Sequence, residues 1–153
     1  MLSEGDLAPD FTLSIEDGSR LSLSDLKGAP IVLYFYPKDN TSGCTKEAID
    51  FTQMLPEFNK LQTRIIGVSP DSVKKHVNFI DKHELGITLG ADEDKSVATN
   101  YGVWAEKKMY GRTYMGIVRT TFLIDKSGRI VKIWNKVRVK DHAAAVLEAA
   151  GAL

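Results

Sequence analysis

The sequence predicts an α/β fold in which helices cover both faces of a central mixed β-sheet. Continuously apolar runs, such as PIVLYFY at residues 30–36, alternate along the chain with segments of helical periodicity. Unbroken apolar strands of this kind are typical of sheets that are buried on both faces. Two further strands joined by a short turn follow the alternating part, and a final helix ends the chain.

The N-terminal part is predicted to be a β-hairpin, because strand-like segments at 11–13 and 19–23 flank the turn sequence EDGS. A short capped turn is expected at 24–28, before the buried strand at 30–36. Apolar residues recur at a helical period over 45–61, and Pro56 is expected to kink or break that helix.

The second half continues the alternation of strands and helices. A buried strand at 64–70 precedes a helix whose apolar face carries Val73, Val77 and Ile80. A short strand at 86–92, a short helix ending near Gly102 and an antiparallel hairpin over 119–134 follow. The last helix is expected within 139–151, with Gly151 as its C-terminal cap. This order of elements is a thioredoxin-like arrangement.

Composition limits the class of protein. With 153 residues, of which 43% are hydrophobic, we expect one compact domain over residues 1–153. Lys plus Arg and Asp plus Glu both number 20, and this zero net charge argues against a nucleic-acid partner. No apolar stretch approaches the ~18–20 residues of a membrane span, and the acidic N-terminus is unlike a signal peptide.

Several charged and histidine residues are expected to lie at the solvated surface. The histidines also lack the spacing of metal ligands, so no metal, haem or flavin cofactor is expected. The residues concerned are a basic cluster (Lys132, Lys136, Arg138, Lys140), an acidic run (Asp92, Glu93, Asp94) and the histidines His76, His83 and His142.

Cys44 is the only cysteine, so the chain has no internal disulfide, and a cytoplasmic location is expected. It lies just after the strand at 30–36, in the first turn of the next helix, with Asn40, Thr41 and Ser42 as candidate caps. Functional residues gather at the carboxyl ends of strands in such sheets. Unpaired N–H groups and the helix macrodipole favour the thiolate there, and the thiolate is the nucleophilic form.

The helix end alone is too weak to ionise a thiol fully at neutral pH. It contributes about 0.3–1 kcal/mol, and an ordinary cysteine is only a few per cent thiolate at this pH. A nearby cation is needed, and Arg119 is the candidate because it opens the apolar strand RTTFLI, where an unpaired arginine would be costly. Lone intracellular cysteines are more often small buried hydrophobes, so position alone leaves a reactive thiol and a packing residue equally open.

The residues around Cys44 resemble the peroxiredoxin signature, in which Pro37, Thr41 and Cys44 have the matching spacing. The segments FYPKDNTSGCTKEAIDF and GVWAEKKMYGRTYMGIVRTTFLID closely resemble the bacterioferritin-comigratory-protein, or PrxQ, branch, and GDLAPDFTL also matches peroxiredoxins. The resemblance covers nearly the whole chain. It implies a thioredoxin-like fold and the cysteine-dependent reduction of hydrogen peroxide and organic hydroperoxides, as in antioxidant defence.

Carried over by position, the resemblance implies that Cys44 is the peroxidatic nucleophile, which becomes a sulfenic acid. Thr41 is implied to hold the peroxide through hydrogen bonds, alone or together with a capping role. Arg119 is implied to favour the thiolate and to stabilise charge as the O–O bond breaks. The backbone N–H groups of Gly43 and Cys44 would assist, because glycine lets the backbone approach a ligand closely.

Each of two further residues has two interpretations, one functional and one purely structural. Pro37 resembles the ring that shields the thiolate from water, and it could equally serve only to end the strand. Glu47 is implied to orient Arg119, and a plain acidic residue near a helix start is an equally good interpretation. Packing in the core or in loops is expected for Trp104, Tyr110 and Tyr114.

At two positions the residue differs from the one that is common in the PrxQ branch. Ser42 stands where many members carry proline, and Ile49 stands where PrxQ proteins often carry a resolving cysteine. With one cysteine, the sulfenic acid must be reduced by an outside thiol (thioredoxin, glutaredoxin or glutathione) or through a Cys44–Cys44 bond between chains. The branch resemblance also implies a monomer. The alternative function is a redox-sensing or chaperone-like binding module, whereas a thioredoxin-type reductase is excluded by the missing C-x-x-C motif.

Overall fold

The computed structural model describes residues 2–153. The strands of this part alternate with helices in the order that the sequence predicts, apart from one hairpin that it does not predict. The strands are β1 (Thr12–Ile15), β2 (Arg20–Ser22), β3 (Ile31–Phe35), β4 (Arg64–Ser69), β5 (Thr88–Ala91), β6 (Trp104–Met109), β7 (Arg112–Ile117), β8 (Thr120–Ile124) and β9 (Ile130–Trp134).

Five α-helices occur among the described residues, and a short 3₁₀ helix spans Leu23–Leu26. The predicted break near Pro56 is confirmed, since one helix ends at Gln53 and the next starts at Leu55 with proline in its first turn, where proline is tolerated. The helices are α1 (Ser42–Gln53), α2 (Leu55–Lys60), α3 (Val73–His83), α4 (Ser96–Asn100) and α5 (His142–Gly151).

Seven strands form one mixed sheet in the order β2-β1-β5-β4-β3-β8-β9. Strands β3, β4 and β5 are parallel, whereas β8 runs antiparallel to β3, and Thr120 lies opposite Phe35. The predicted hairpins β1–β2 and β8–β9 are both confirmed. Because β8 is antiparallel to β3, the residue before β8 lies at the edge of the sheet where β3 ends.

Each face of the sheet has its own hydrophobic core, as the continuously apolar strands predict. Val32 and Tyr34 of β3 point into the core beneath α1, α2, α3 and α5, while Leu33 and Phe35 point into the core beneath α4 and the N-terminal segment. Tyr34 packs so closely on the neighbouring strand that a Cβ added at Gly67 would lie 2.7 Å from its ring. Helices therefore cover both faces, and the predicted thioredoxin-like α/β fold is confirmed.

The β6–β7 hairpin lies outside the main sheet and was not predicted. Its polar residues do not alternate with apolar ones, and its two-residue turn is Tyr110–Gly111, in which both residues have positive φ. Tyr110 is 97% exposed and Tyr114 is also exposed, so the expectation that these tyrosines pack is wrong, whereas Trp104 packs against the core.

Three other surface expectations are wrong. His76 and His142 are buried, because each is hydrogen-bonded inside the fold, and Asp92 is buried because it accepts the N–H groups at the start of α4. Gly151 is the last residue of α5 and not the cap, which is Ala152. The basic cluster near the C-terminus is exposed, as expected.

Candidate active site

Cys44 lies in the first turn of α1, just beyond the carboxyl end of β3. Thr41 occupies the N-cap position with an extended backbone (ψ 154°), and its carbonyl accepts the N–H of Thr45. Cys44 forms no disulfide, and it is only 1% exposed. Its sulfur therefore lies where helix N–H groups and the macrodipole favour negative charge.

Arg119 connects Cys44 with Glu47. It immediately precedes β8, and the β3–β8 register brings it to the same edge of the sheet as Cys44. Its Nη2 donates to Cys44 Sγ over 3.2 Å, while its Nη1 donates to Glu47 Oε1 over 2.6 Å. One planar guanidinium can bind two acceptors at once because its N–H groups form a rigid fork.

Burial governs the electrostatics of this pair. Glu47 is 1% exposed, and burial raises the pKa of its carboxyl to about 7, although the charge of Arg119 acts in the opposite direction. For Arg119, burial alone would lower the pKa, but the negative charges of Glu47 and Cys44 outweigh it and raise the pKa. The guanidinium therefore keeps its charge beside the sulfur.

The remaining sequence-derived candidates lie in the loop between β3 and α1 and in the first turn of α1. The Thr41 hydroxyl does not cap α1 and instead donates to the Lys38 carbonyl over 2.9 Å, on the exposed side of the loop. An added Cβ at Gly43 would lie 3.4 Å from Arg119 Nη2, so the guanidinium packs directly over this glycine. Pro37 follows β3 and is exposed.

Sequence reasoning missed two groups of residues near the loop and the thiol. Tyr36, Asp39 and His76 form a buried hydrogen-bonded cluster under the loop before α1. His76 could have been recognised, because it lies three residues after Val73 and four before Ile80, on the stripe predicted to be apolar. His142 bonds Thr121 over 2.8 Å, and burial lowers its pKa to about 4, so it is neutral at pH 7.

Across residues 2–153, no group of three or more His, Cys, Asp and Glu side chains is placed to hold a metal ion. No helix within the same range is long and apolar enough to cross a membrane. The arrangement instead presents a sulfur beside a fixed cation at the start of a helix, which suits nucleophilic attack by a thiolate.

Comparison with known proteins identifies the family. Residues 5–133 match the AhpC/TSA family. Peroxiredoxin Bcp of Bacillus subtilis is 52% identical over 144 residues, which cover 94% of this chain and 92% of that protein. A putative peroxiredoxin bcp of Coxiella burnetii is 48% identical over 143 residues, covering 94% and 95% of the two chains.

Solved structures agree with this assignment. Xanthomonas campestris bacterioferritin comigratory protein, solved to study its alkyl peroxide reduction activity, superposes with a TM-score of 0.89 at 44% identity, covering 93% of this chain and 90% of that chain. A yeast mitochondrial 1-Cys peroxiredoxin superposes with a TM-score of 0.84 at 25% identity, covering 99% and 76%. The chain belongs to the AhpC/TSA family and, within it, to the Bcp/PrxQ peroxiredoxins.

Proposed function

We propose that this thiol-dependent peroxidase works through Cys44 alone, with an external thiol completing each cycle. The observation that carries the proposal is the 3.2 Å hydrogen bond from Arg119 Nη2 to Cys44 Sγ, in a chain with a single cysteine. Hydrogen peroxide and organic hydroperoxides are the proposed substrates, and the proposed role is antioxidant defence. We assign the whole activity to one domain comprising residues 1–153.

In the first step, the Cys44 thiolate attacks the terminal oxygen of the hydroperoxide. The S–O bond forms as the O–O bond breaks, so Cys44 becomes a sulfenic acid and the leaving alkoxide or hydroxide takes up a proton as alcohol or water. Arg119 stabilises the negative charge that moves from sulfur to the leaving oxygen. Glu47 holds the guanidinium in place through the 2.6 Å bond to Nη1.

Thr41 orients the peroxide in this proposal. Because its hydroxyl proton is donated to the Lys38 carbonyl, its oxygen presents lone pairs that can accept the peroxide O–H. The N–H groups of Gly43 and Cys44 bind the peroxide oxygens from the helix side, and Pro37 keeps water from the thiolate.

In the second step, an external thiol attacks the Cys44 sulfenic acid and forms a mixed disulfide with loss of water. A second thiol then displaces Cys44 as thiolate and leaves as a disulfide, so two thiols are oxidised for each peroxide reduced. Thioredoxin, glutaredoxin and glutathione are the proposed donors, with a Cys44–Cys44 bond between chains as the other route. We propose that the protein acts as a cytoplasmic monomer without a metal or organic cofactor.

Rapid mixing of the reduced protein with one equivalent of hydrogen peroxide tests the first step. We expect oxidation far faster than that of a free thiol, a mass increase of one oxygen on Cys44, and no reaction in Cys44→Ser. Oxidation at the speed of a free thiol, with hydrogen peroxide and with organic hydroperoxides, would contradict the proposal.

Turnover separates the peroxidase from a redox-sensing or chaperone-like binding module. With excess peroxide and each candidate donor, a peroxidase consumes many equivalents of peroxide, whereas a sensor stops after one. Arg129→Ala is a matched control, because this exposed arginine bonds the carbonyl of Gly5, far along the chain from Cys44. It should leave the rate unchanged.

A further inference from the structure

A buried cluster of hydrogen bonds lies beneath the loop that joins β3 to α1. Asp39 accepts the Tyr36 hydroxyl at Oδ1 over 2.6 Å and faces His76 Nδ1 at Oδ2 over 2.7 Å. The exposed fractions of Tyr36, Asp39 and His76 are 1%, 6% and 0%. The peroxidase chemistry described above uses none of these side chains.

The proton positions in the cluster follow from its acceptors. His76 Nε2 lies 3.0 Å from the Gly90 carbonyl, which can only accept, so Nε2 carries a proton. One more proton lies between Nδ1 and the Asp39 carboxyl, and the pair is neutral overall whichever atom holds it. Each hydrogen-bond donor and acceptor of the three side chains then has a partner, and the cluster carries no net charge. A buried network that is satisfied in this way is rigid.

The cluster ties the loop to three elements of the scaffold. Tyr36 follows β3, His76 belongs to α3 and Gly90 to β5, while the Asp39 N–H donates to Asp71 Oδ2 over 2.8 Å. Asp39 itself is a loop residue, and its neighbour Asn40 has a left-handed backbone with φ of 63°. Asparagine tolerates this conformation, so the chain can turn here between Asp39 and the start of α1.

The loop geometry reaches the reacting atoms through Lys38. The Lys38 carbonyl, one residue before Asp39, accepts the Thr41 hydroxyl proton over 2.9 Å. Any shift of Asp39 moves this carbonyl, and the Thr41 lone pairs turn with it. Arg119 and Glu47 are outside this chain of contacts, since they are held by β8 and α1.

We propose that Tyr36, Asp39 and His76 are positioning residues that fix the orientation of the Thr41 hydroxyl towards the hydroperoxide, without setting the ionisation of Cys44. The inference rests on the proposed peroxidase function of Thr41 and Cys44. The three residues are assigned to the peroxide-binding step alone. Their loss should therefore slow reaction with peroxides and spare reactions of Cys44 that do not use Thr41.

Two reactions of the same thiol separate these effects. We would measure the rate constant for oxidation of Cys44 by hydrogen peroxide and that for its alkylation by iodoacetamide, in wild type, Tyr36→Phe, Asp39→Ala and Asp39→Asn. Tyr36→Phe should oxidise about tenfold more slowly, as expected for one lost hydrogen bond, and Asp39→Ala about a hundredfold more slowly through misplacement of the loop. Alkylation should stay at the wild-type rate in both.

Asp39→Asn tests whether the hydrogen-bond geometry at residue 39 is enough to position the Thr41 hydroxyl. The asparagine oxygen can accept the Tyr36 hydroxyl, and its NH₂ group can donate to the neutral Nδ1 of His76, so oxidation should stay near the wild-type rate. Tyr101→Phe is the matched control, because this buried tyrosine also donates over 2.6 Å, but to the Pro9 carbonyl in the other core. It should leave the oxidation rate unchanged.

Three outcomes would overturn the proposal. They are an oxidation rate in Tyr36→Phe equal to that in Tyr101→Phe, a parallel fall of oxidation and alkylation, and a loss in Asp39→Asn as large as in Asp39→Ala. If Asp39→Ala fails to fold, Tyr36→Phe still tests the proposal. Slow oxidation of the wild type would instead refute the peroxidase function, so the two failures are distinguishable.

Discussion

Arg119 Nη2 lies 3.2 Å from Cys44 Sγ although 75 residues of sequence separate them, and Nη1 of the same guanidinium binds Glu47 at 2.6 Å. The antiparallel pairing of β8 with β3 produces this contact, because it places the residue before β8 at the edge where β3 ends. In the mechanism that we propose, this cation stabilises negative charge on the sulfur and then on the leaving oxygen.

We expect Arg119→Ala to slow the oxidation of Cys44 by peroxide about a hundredfold or more, because the cation that stabilises charge on the leaving oxygen is lost. Arg119→Lys should recover little, since an ammonium group cannot bind the sulfur and Glu47 in a bidentate manner. Rapid-mixing kinetics with hydrogen peroxide measure the oxidation rate of both variants. An oxidation rate in Arg119→Ala equal to that of the wild type would refute the role of Arg119.

Glu47 should make folding stability depend on pH. Its pKa is raised from 4.5 to about 7 in the folded state, so the folded protein binds the proton more tightly than the unfolded chain. The resulting stabilisation is fully present below about pH 4.5, decreases as pH rises, and is lost above about pH 7. Its size is about 3 kcal/mol at most, from the two pKa values.

Urea unfolding from pH 4 to 8 measures this effect, in a Cys44→Ser background so that the thiol does not titrate. Glu47→Gln is the control, because it cannot lose a proton. The free energy of unfolding of the Glu47 protein should fall relative to that of Glu47→Gln between pH 4.5 and 7. Parallel pH profiles would show that Glu47 has an ordinary pKa.

Gly67→Ala should destabilise the fold by about 1–3 kcal/mol, because overpacking in a closed core forces strain. The new Cβ would lie 2.7 Å from the ring of Tyr34, which is fully buried and stacks on Phe51 with ring centres 4.9 Å apart. Chemical denaturation measures the loss.

Gly86→Ala is the matched control for that substitution. Its Cβ would lie even closer, 2.6 Å, to Leu55 Cδ1, but this atom ends a flexible and only partly buried side chain that can move aside. We expect the smaller loss of stability in Gly86→Ala. An equal loss in both variants would show that β4 can shift away from Tyr34.

Ser42→Pro should stabilise the protein by about 0.4–1 kcal/mol. Ser42 is the first residue of α1, where a proline ring suits the backbone, and Thr41 before it has the extended conformation that a following proline requires. Thr45→Pro should instead cost about 3 kcal/mol or more, because the Thr45 N–H donates to the Thr41 carbonyl. A destabilised Ser42→Pro variant would contradict this account of the helix start.

The β6–β7 hairpin and the histidines show where sequence reasoning stops. The hairpin turn uses Tyr110 in a left-handed conformation, which glycine or asparagine usually occupies, so the segment lacks the usual hairpin signal. His76 is buried because Asp39, 37 residues away in sequence, and the Gly90 carbonyl satisfy both ring nitrogens. Neither partner could be assigned from the residues that adjoin His76.

By itself, the sequence determined the order of strands and helices apart from the β6–β7 hairpin, the strand buried on both faces, the break at Pro56 and the place of Cys44 at a helix start. These features depend on periodicity and on interactions between near neighbours, which a linear pattern records. Only the tertiary structure decided that Arg119 binds both Cys44 and Glu47 and that Asp39, Tyr36 and His76 support the loop. Such contacts depend on strand register and on burial, which bring together residues that the linear pattern leaves far apart.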